Sequence, residues 1–584
     1  MAENVSGREP VQIVEIRQPM CANSFGVAPC AATGTDDQKC YNTRATCRDA
    51  ANFALGSPLS LFFSRGNVAD KVPGLSYVIP SLVSVSTQPA MINLAGGNDN
   101  AQGIGLRAVC RLVFADHPHT DRVVDPYIDG RSWDPMDRSR GSFWSRWIAR
   151  NKYRQNIEII VYEGYAGQTL AQMVRRTYFL QAISYPDASG KVAIEGKDIL
   201  ARIEERKAQA PLASPGVLHL DIDAAVDSFE VANATEADYP ASGTLRIGDE
   251  VMTYSARAAS ANGLTISGVV RGTDGTAADD HSAEDTVQIC LRFDNLRVDE
   301  ALSLLFLGYS GIPASYLNTS AWASEVSDHL SLFRINGLVT EPTGVTELVS
   351  EIQIQSSCFI WWDERSALVN LKALRAVSGG IPLLTDADHL LAGSFAISEA
   401  PKERVSQVWV YYDMRDPTGS VKAAKNYRTV SVFADLSSEG QDLYGEPSIR
   451  KIYARFLRSS GLADTVASKV ITRFVDIPAR ARFQLDAKDR DLWLGDAVRI
   501  SHPLDVDPFG NRRVRIWTIT SAEEISPGEV VEYVAEDTTL YGRIVLILPA
   551  GALDYGVDGY DEGGCFIGDA AGLLSDGSPC GRIS

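Results

Sequence analysis

The chain runs to 584 residues, 45% of them hydrophobic and 22% charged, ordinary globular proportions that exclude a fibrous or wholly disordered protein and predict about three to five domains. No apolar run approaches the ~20 residues of a membrane span, so no membrane-spanning helix is expected. A formal charge of -19 and a pI near 4.9 argue against a surface built to grip nucleic acid, which needs basic patches to displace counterions.

In chain order the first chemical signal is a set of cysteines. Four of the nine, Cys21, Cys30, Cys40 and Cys47, fall in one Gly/Pro/Asn-rich segment with the spacing C-x8-C-x9-C-x6-C. Loops of this length close at modest entropic cost, and tetrathiolate sets suit zinc or an iron–sulfur cluster; the competing reading is two disulfides. Met1 to Pro10 lacks the basic region and apolar core of a secretory signal, which points to synthesis in a reducing cytoplasm, where clustered cysteines are more often ligands than bridges. Nine is odd, so at least one thiol stays unpaired within the chain.

The segment 1–56 carrying these cysteines is followed by a predicted β-barrel-like domain over 57–211. Strand-like runs at Leu59 to Phe63, Tyr77 to Val85 and Ile104 to Phe114 alternate with Gly/Asn/Asp turns, and further strands are expected at Ile157 to Glu163, Thr177 to Ser184 and Lys191 to Glu195. Between them, Phe143, Trp144, Trp147 and Ile148 recur at helical spacing within Ser142 to Lys152, an apolar stripe that reads as core. A short helix opens at Lys197-Asp198-Ile199-Leu200 and stops at Pro211.

Residues 212–290 change texture, with short strands between Gly, Ser and Asp, and read as a small inserted β module. Within it His281, beside Asp279, Asp280 and Asp285, is expected on a solvated loop. Residues 291–390 predict an α/β domain: helices at Val298 to Leu307 and Gly344 to Ile354, then a hairpin pairing Ser357 to Trp362 with Ala367 to Leu374, in which Cys358 is an inert buried thiol. A second barrel-like domain is expected over 391–545, with strands at Ser406 to Tyr412, Asn426 to Val432, Arg480 to Leu485, Asp496 to Ser501, Val514 to Ser521 and Glu529 to Ala535, and one helical insertion from about Ser448 to Thr472. A Gly-rich tail, 546–584, carries Cys565 and Cys580, which pair in a disulfide or stay as thiols. The fold class is therefore mainly β with α insertions (α+β), multidomain, and a helix feeding a β pair near 142 to 163 and again near 344 to 374 hints at two related barrels.

Catalytic signatures are missing: the sequence has no G-x-S-x-G, P-loop, H-E-x-x-H or dinucleotide-binding glycine fingerprint. The compact group Asp116-His117-Pro118-His119-Thr120-Asp121 puts its histidines either side of a proline, so a metal there needs ligands from elsewhere. No motif singles out a carboxylate pair for glycoside hydrolysis among the 74 acidic residues.

The stretch Ile16-Arg17-Gln18 through Lys39-Cys40-Tyr41-Asn42-Thr43-Arg44-Ala45-Thr46-Cys47 resembles the start of the tail-tip baseplate hub proteins of long-tailed phages and gene transfer agents, most specifically in K-C-[YF]-N-T-R-x-T-C. Further points of likeness are Lys197 to Leu200 with Arg206 to Pro211, Ile247-Gly248-Asp249-Glu250 to His281, the Cys358 to Arg365 hairpin, Leu494-Gly495-Asp496-Ala497-Val498 and the ending Phe566 to Ser578. The resemblance implies Cys21, Cys30, Cys40 and Cys47 as ligands of an iron–sulfur cluster, [4Fe-4S] in type, with zinc as the alternative. It implies a non-enzymatic virion protein, assembled in the host cytoplasm: a homotrimer closing the tail tube, docked on a distal tail protein ring, meeting the tape measure protein and the central fibre or receptor-binding proteins, and letting genomic DNA pass without sequence-specific binding. The alternative is a tail-associated polysaccharide- or cell-wall-degrading enzyme.

Overall fold

The computed structural model describes residues 8–94, 103–375, 380–441, 443–486, 489, 491–526 and 528–538; Cys565, Cys580 and the whole expected tail lie outside them. Strand makes up 37% and helix 19%, so the architecture is mainly β, as the alternating patterns predict.

The N-terminal half is built on one antiparallel sheet of seven strands. These are β1 (Pro10–Gln18), β2 (Leu59–Phe63), β3 (Leu82–Gln88), β4 (Val109–Ala115), β5 (Glu158–Tyr165), β6 (Val174–Ile183) and β7 (Lys191–Lys197), in the spatial order β2-β1-β5-β6-β7-β4-β3. β1 is an interior strand, with Gln18 opposite Leu59 and Ile16 opposite Ile159. The cysteine segment is thus the long connection of a β-hairpin, and the expected cut at residue 56 falls between two strands that pair with each other. α1 (Phe143–Arg150) starts at a reciprocal Ser142/Ser145 cap and buries Phe143, Trp144, Trp147 and Ile148. Trp144 lies 4.8 Å from the ring of Phe114 and 5.4 Å from that of Phe63, so the aromatic stripe fixes α1 on the sheet.

A second sheet of six strands takes the order 383–385, 497–506, 512–526, 530–537, 479–486 and 396–399. It shares a single apolar core with the first sheet: Val14, Ile159 and Phe114 from one side meet Phe483, Trp517 and Tyr533 from the other. The other four α-helices of the described residues, α2 (Val298–Tyr309), α3 (Thr319–His329), α4 (Val345–Ser356) and α5 (Ser460–Phe474), build a second core with a three-stranded sheet ordered 427–434, 407–414, 449–454. The hairpin Cys358–Asp363 with Leu368–Ala373 stands between these cores. Phe359 and Trp361 enter the first, while Cys358, Ile360 and Trp362 enter the second, which is why its sequence is apolar without a break. The small module has its own core of Val231, Leu245, Ile247, Leu264 and Ile266.

Three features differ from expectation. Ile449–Ala454, predicted as the start of a helix, is a strand parallel to 407–414, with helix only from Ser460. Its alternating exposure, and the contact it makes with a strand far away in sequence, override a helical reading of a short mixed run. α3 went unpredicted because only Trp322 and Val326 of its residues are buried, too narrow a stripe to stand out. His281 is buried, not solvated: its Nε2 lies 2.9 Å from Glu250, which also accepts from Arg271 at 2.8 and 2.7 Å and from the backbone N–H groups of Gly272 and Asp279. Burial alone would raise the Glu250 carboxyl, but the hydrogen bonds of Arg271 and His281 and of the backbone hold it down at about 2.

Candidate metal centre

The connection between β1 and β2 has few apolar side chains to pack on, and it contains only short 3-10 turns at Asp36–Gln38, Arg44–Thr46 and Ala50–Asn52. Its base is closed by backbone hydrogen bonds: Ala22 N donates to Ala54 O at 2.8 Å and Gly56 N to Met20 O at 2.8 Å. Above that base the chain folds back on itself. Cys21 N donates to Asn42 O at 2.7 Å, and Asn42, left-handed at φ 52°, turns the chain between Cys40 and Cys47.

The result brings together the four residues nominated from the sequence. Cys21, Cys30, Cys40 and Cys47 line one narrow cavity, along with Phe25, Asn42 and Phe53. All four are free thiols, and none of the described cysteines forms a disulfide. Cys40 is buried and the other three half-buried. Burial pushes the Cys40 thiol above its ordinary value against the pull of a hydrogen bond at Asn42, and the nearby Cys47, Cys30 and Cys21 push the same way. Converging thiolates repel one another unless a cationic centre sits among them.

The donor set fits a tetrathiolate centre in residue type and in convergence on one cavity. Among the described residues no group of three or more His, Cys, Asp or Glu side chains is placed to hold a metal ion as the side chains stand. Zinc, with four sulfurs on one ion, and a four-iron cluster, with each cysteine on a different iron, both take this donor set.

The residues that hold this loop in place come from 116–151 and were not read from the sequence. Tyr127 hydroxyl donates to Asn42 Oδ1 at 3.1 Å and accepts from Phe25 N at 2.8 Å, tying two cysteine-bearing turns together. Thr43 Oγ1 donates to Arg150 O at 2.6 Å. A Cβ added at Gly130 would sit 2.7 Å from Asp36 Cγ, so glycine permits the close approach of the two segments. The one sequence signal for this role is that Asp125 to Arg140 is polar and lacks strand or helix periodicity while lying between two strand regions.

The other candidate groups are occupied with local structure. His119 Nδ1 accepts from Asp121 N at 2.9 Å and its Nε2 meets Tyr77 hydroxyl at 2.9 Å, while Asp121 is paired with Arg146 and Arg150 at 2.9 and 2.7 Å. His117 stacks on Phe143. In the groove between α4 and strand 449–454, Glu351 accepts from Arg455 Nε at 2.7 Å and from Arg455 Nη2 at 3.0 Å.

No family model matches the chain, and no curated protein matches it. Among solved structures it is similar to a tail protein from Neisseria meningitidis MC58, at 10% identity and a TM-score of 0.37, covering 78% of this chain and 97% of that one. It is also similar to the 43 kDa tail protein of prophage MuSo2 from Shewanella oneidensis, at 10% identity and a TM-score of 0.34, covering 77% and 97%. A chain from the virion of a native gene transfer agent particle matches at 13% identity and a TM-score of 0.29, covering 58% and 92%.

Proposed function

We propose that this protein is a structural component of a phage tail, the baseplate hub at the tail tip, and that its N-terminal loop holds a [4Fe-4S] cluster on Cys21, Cys30, Cys40 and Cys47. The observation that carries this reading is the convergence on one cavity of the four cysteines that include the hub-like K-C-Y-N-T-R-A-T-C stretch. When bound, the cluster supplies covalent cross-links. The loop has little core of its own, so its need is for a staple rather than for an electron carrier, and the two-sheet body supplies the rigid seat.

In this reading three copies close the tail tube against a distal tail protein ring. Two barrel-like units per copy give three subunits a six-fold-like face, which matches a hexameric neighbour. The hub meets the tape measure protein on the tube side and central fibre or receptor-binding proteins on the other. The charge of -19 suits a lumen along which DNA slides without sticking. The reading assigns no catalysis.

Anaerobic purification followed by iron, sulfide and zinc analysis tests the metal: iron and sulfide in equal amounts are expected, and zinc without iron overturns the cluster. Cys40→Ser is expected to remove the brown colour and to stop tail assembly; normal infectious particles from that variant would overturn the structural role. Release of soluble sugar or peptide from host envelope material by the purified protein would favour the polysaccharide- or cell-wall-degrading alternative.

A further inference from the structure

Arg131 is a buried guanidinium with every donor in use. Nε donates to Asp125 Oδ2 at 2.9 Å and Nη2 to Asp125 Oδ1 at 3.1 Å, a two-point pair in which neither side chain has any exposure. The remaining donors reach across to the cysteine loop: Nη1 to Asp36 O at 2.6 Å and Lys39 O at 3.0 Å, and Nη2 to Cys40 O at 3.2 Å. The same guanidinium lies over the ring of Tyr41 at 4.4 Å, and Arg150 lies over that ring at 4.0 Å.

No other residue type could do this. Arginine offers five N–H donors in a fixed plane and stays charged, so its bonds both satisfy and orient the carbonyls they meet. Lysine has three donors on a point charge, too few for the Asp125 carboxylate and the three carbonyls together, of which that of Cys40 is buried. The three carbonyls belong to the run that ends at Cys40, the most buried of the four cysteines, and the adjacent Tyr41 ring is packed against both guanidiniums. The cation is neutralised by Asp125, so its effect on the cavity is to fix where the Cys40 backbone sits and hence where its Sγ points. Partners around a metal site act in this way on the ligands they hold.

We propose that Arg131 is the positioning residue of the centre: with Asp125 as anchor, it presets Cys40 toward the cavity before metal enters. This rests on the four cysteines holding a cluster, as proposed above. Arg131 touches no metal in this role, and it does its work through the Cys40 carbonyl.

The test compares the full-length protein with Arg131→Gln/Asp125→Asn, a double variant that removes both buried charges together so that neither is left unpaired. Iron and acid-labile sulfide per chain, and the rate at which the visible absorbance bleaches in air, are measured after anaerobic purification, beside a thermal melt. The expected result is at least a tenfold loss of bound iron and sulfide, or tenfold faster bleaching, with the main melting transition retained. Arg131→Lys is expected to behave like the double variant, since charge without the fork does not hold three carbonyls. Tyr127→Phe, which deletes one hydroxyl and leaves the fold intact, gives a milder acceleration of bleaching and serves if the double variant fails to fold. A wild type loaded with iron alongside an equally loaded, equally stable double variant overturns the role of Arg131 and leaves the cluster standing. A wild type that holds neither iron nor zinc overturns both.

Discussion

Glu364 sits at the turn of the central hairpin and is almost fully buried, at 3% exposure. Burial raises its carboxyl to about 8; Arg176 opposes the rise, Asp198 and Asp363 add to it, and Arg365 opposes it. Arg176 cannot cancel the effect because Glu163 already pairs with it, and a third carboxyl, Glu524, is pushed up by burial and by Glu163 to about 7. Against burial, Glu163 is held below the ordinary carboxylate range by the guanidinium, while Glu524 and Glu364 are pushed above it. A carboxyl whose folded value lies above its unfolded one binds more protons in the folded state. Its stabilising effect is complete below the ordinary value of 4.5 and is lost as pH rises to about 8. Glu364→Gln keeps the shape and removes that loss. The expectation is a variant more stable than wild type at pH 8 by roughly 2–4 kcal/mol, with the gap closing toward pH 4.5. Urea midpoints at the two pH values measure it, and an equal gap at both would mean that the side chain is not buried as a neutral acid.

At the scale of elements, the central hairpin shows what pattern reasoning captures. Its strand Cys358–Asp363 was legible because an unbroken run of apolar and aromatic residues bounded by Asp-Glu-Arg fits a strand buried on both faces. Which face meets which core was not legible, since that depends on sheets contributed by other parts of the chain, from strand 10–18 to strand 530–537. The L-G-D motif at Leu494 to Asp496 acquires its reason here as well. Gly495, at φ 81°, lies so close to Trp361 that an added Cβ would stand 2.9 Å from the ring. The four cysteines were legible for the opposite reason: they are near one another in sequence, and thiol chemistry needs no long-range information. Arg131, Asp125 and Tyr127 were hidden because a loop's supporting residues follow no period. The hairpin yields a quantitative expectation. Trp361 and Trp362 are 6% and 1% exposed and enter different cores, so truncating either to alanine should cost about 3–5 kcal/mol. Trp362 carries an added penalty because its Nε1 donates to Thr177 O at 3.1 Å. The two side chains leave neighbouring positions of one strand, so the losses should couple through the shared backbone by about 0.5–3 kcal/mol in a double-mutant cycle; strict additivity would show that each core yields without moving that strand.

For the whole molecule, the distribution of cores predicts how it comes apart. The regions 57–211 and 391–545 each contribute to both large cores, their seven- and six-stranded sheets closing the first while Ile199 and Leu200 from one and Val410 and Val466 from the other enter the second, and the central hairpin pins the two cores together through adjacent side chains. Neither region can unfold without exposing the partner's apolar face, so they should melt as one unit. The inserted module differs. Its core is its own, and its two ends lie side by side, with Val287 N donating to Gly216 O at 3.0 Å and Ile289 N to Ser214 Oγ at 2.9 Å. Its ties to the body include half-exposed polar pairs such as Arg292 with Asp274, of a kind worth about 0–1 kcal/mol each. Calorimetry on the intact chain should therefore show two transitions. Replacing 215–286 by a short Gly/Ser link should delete the smaller one, shift the larger by no more than a few degrees, and leave iron content unchanged, because the cysteine loop and the module draw on separate sets of contacts. A single transition in the intact chain, or loss of iron on excision, would show that the module is a working part of the body and not an insertion into it.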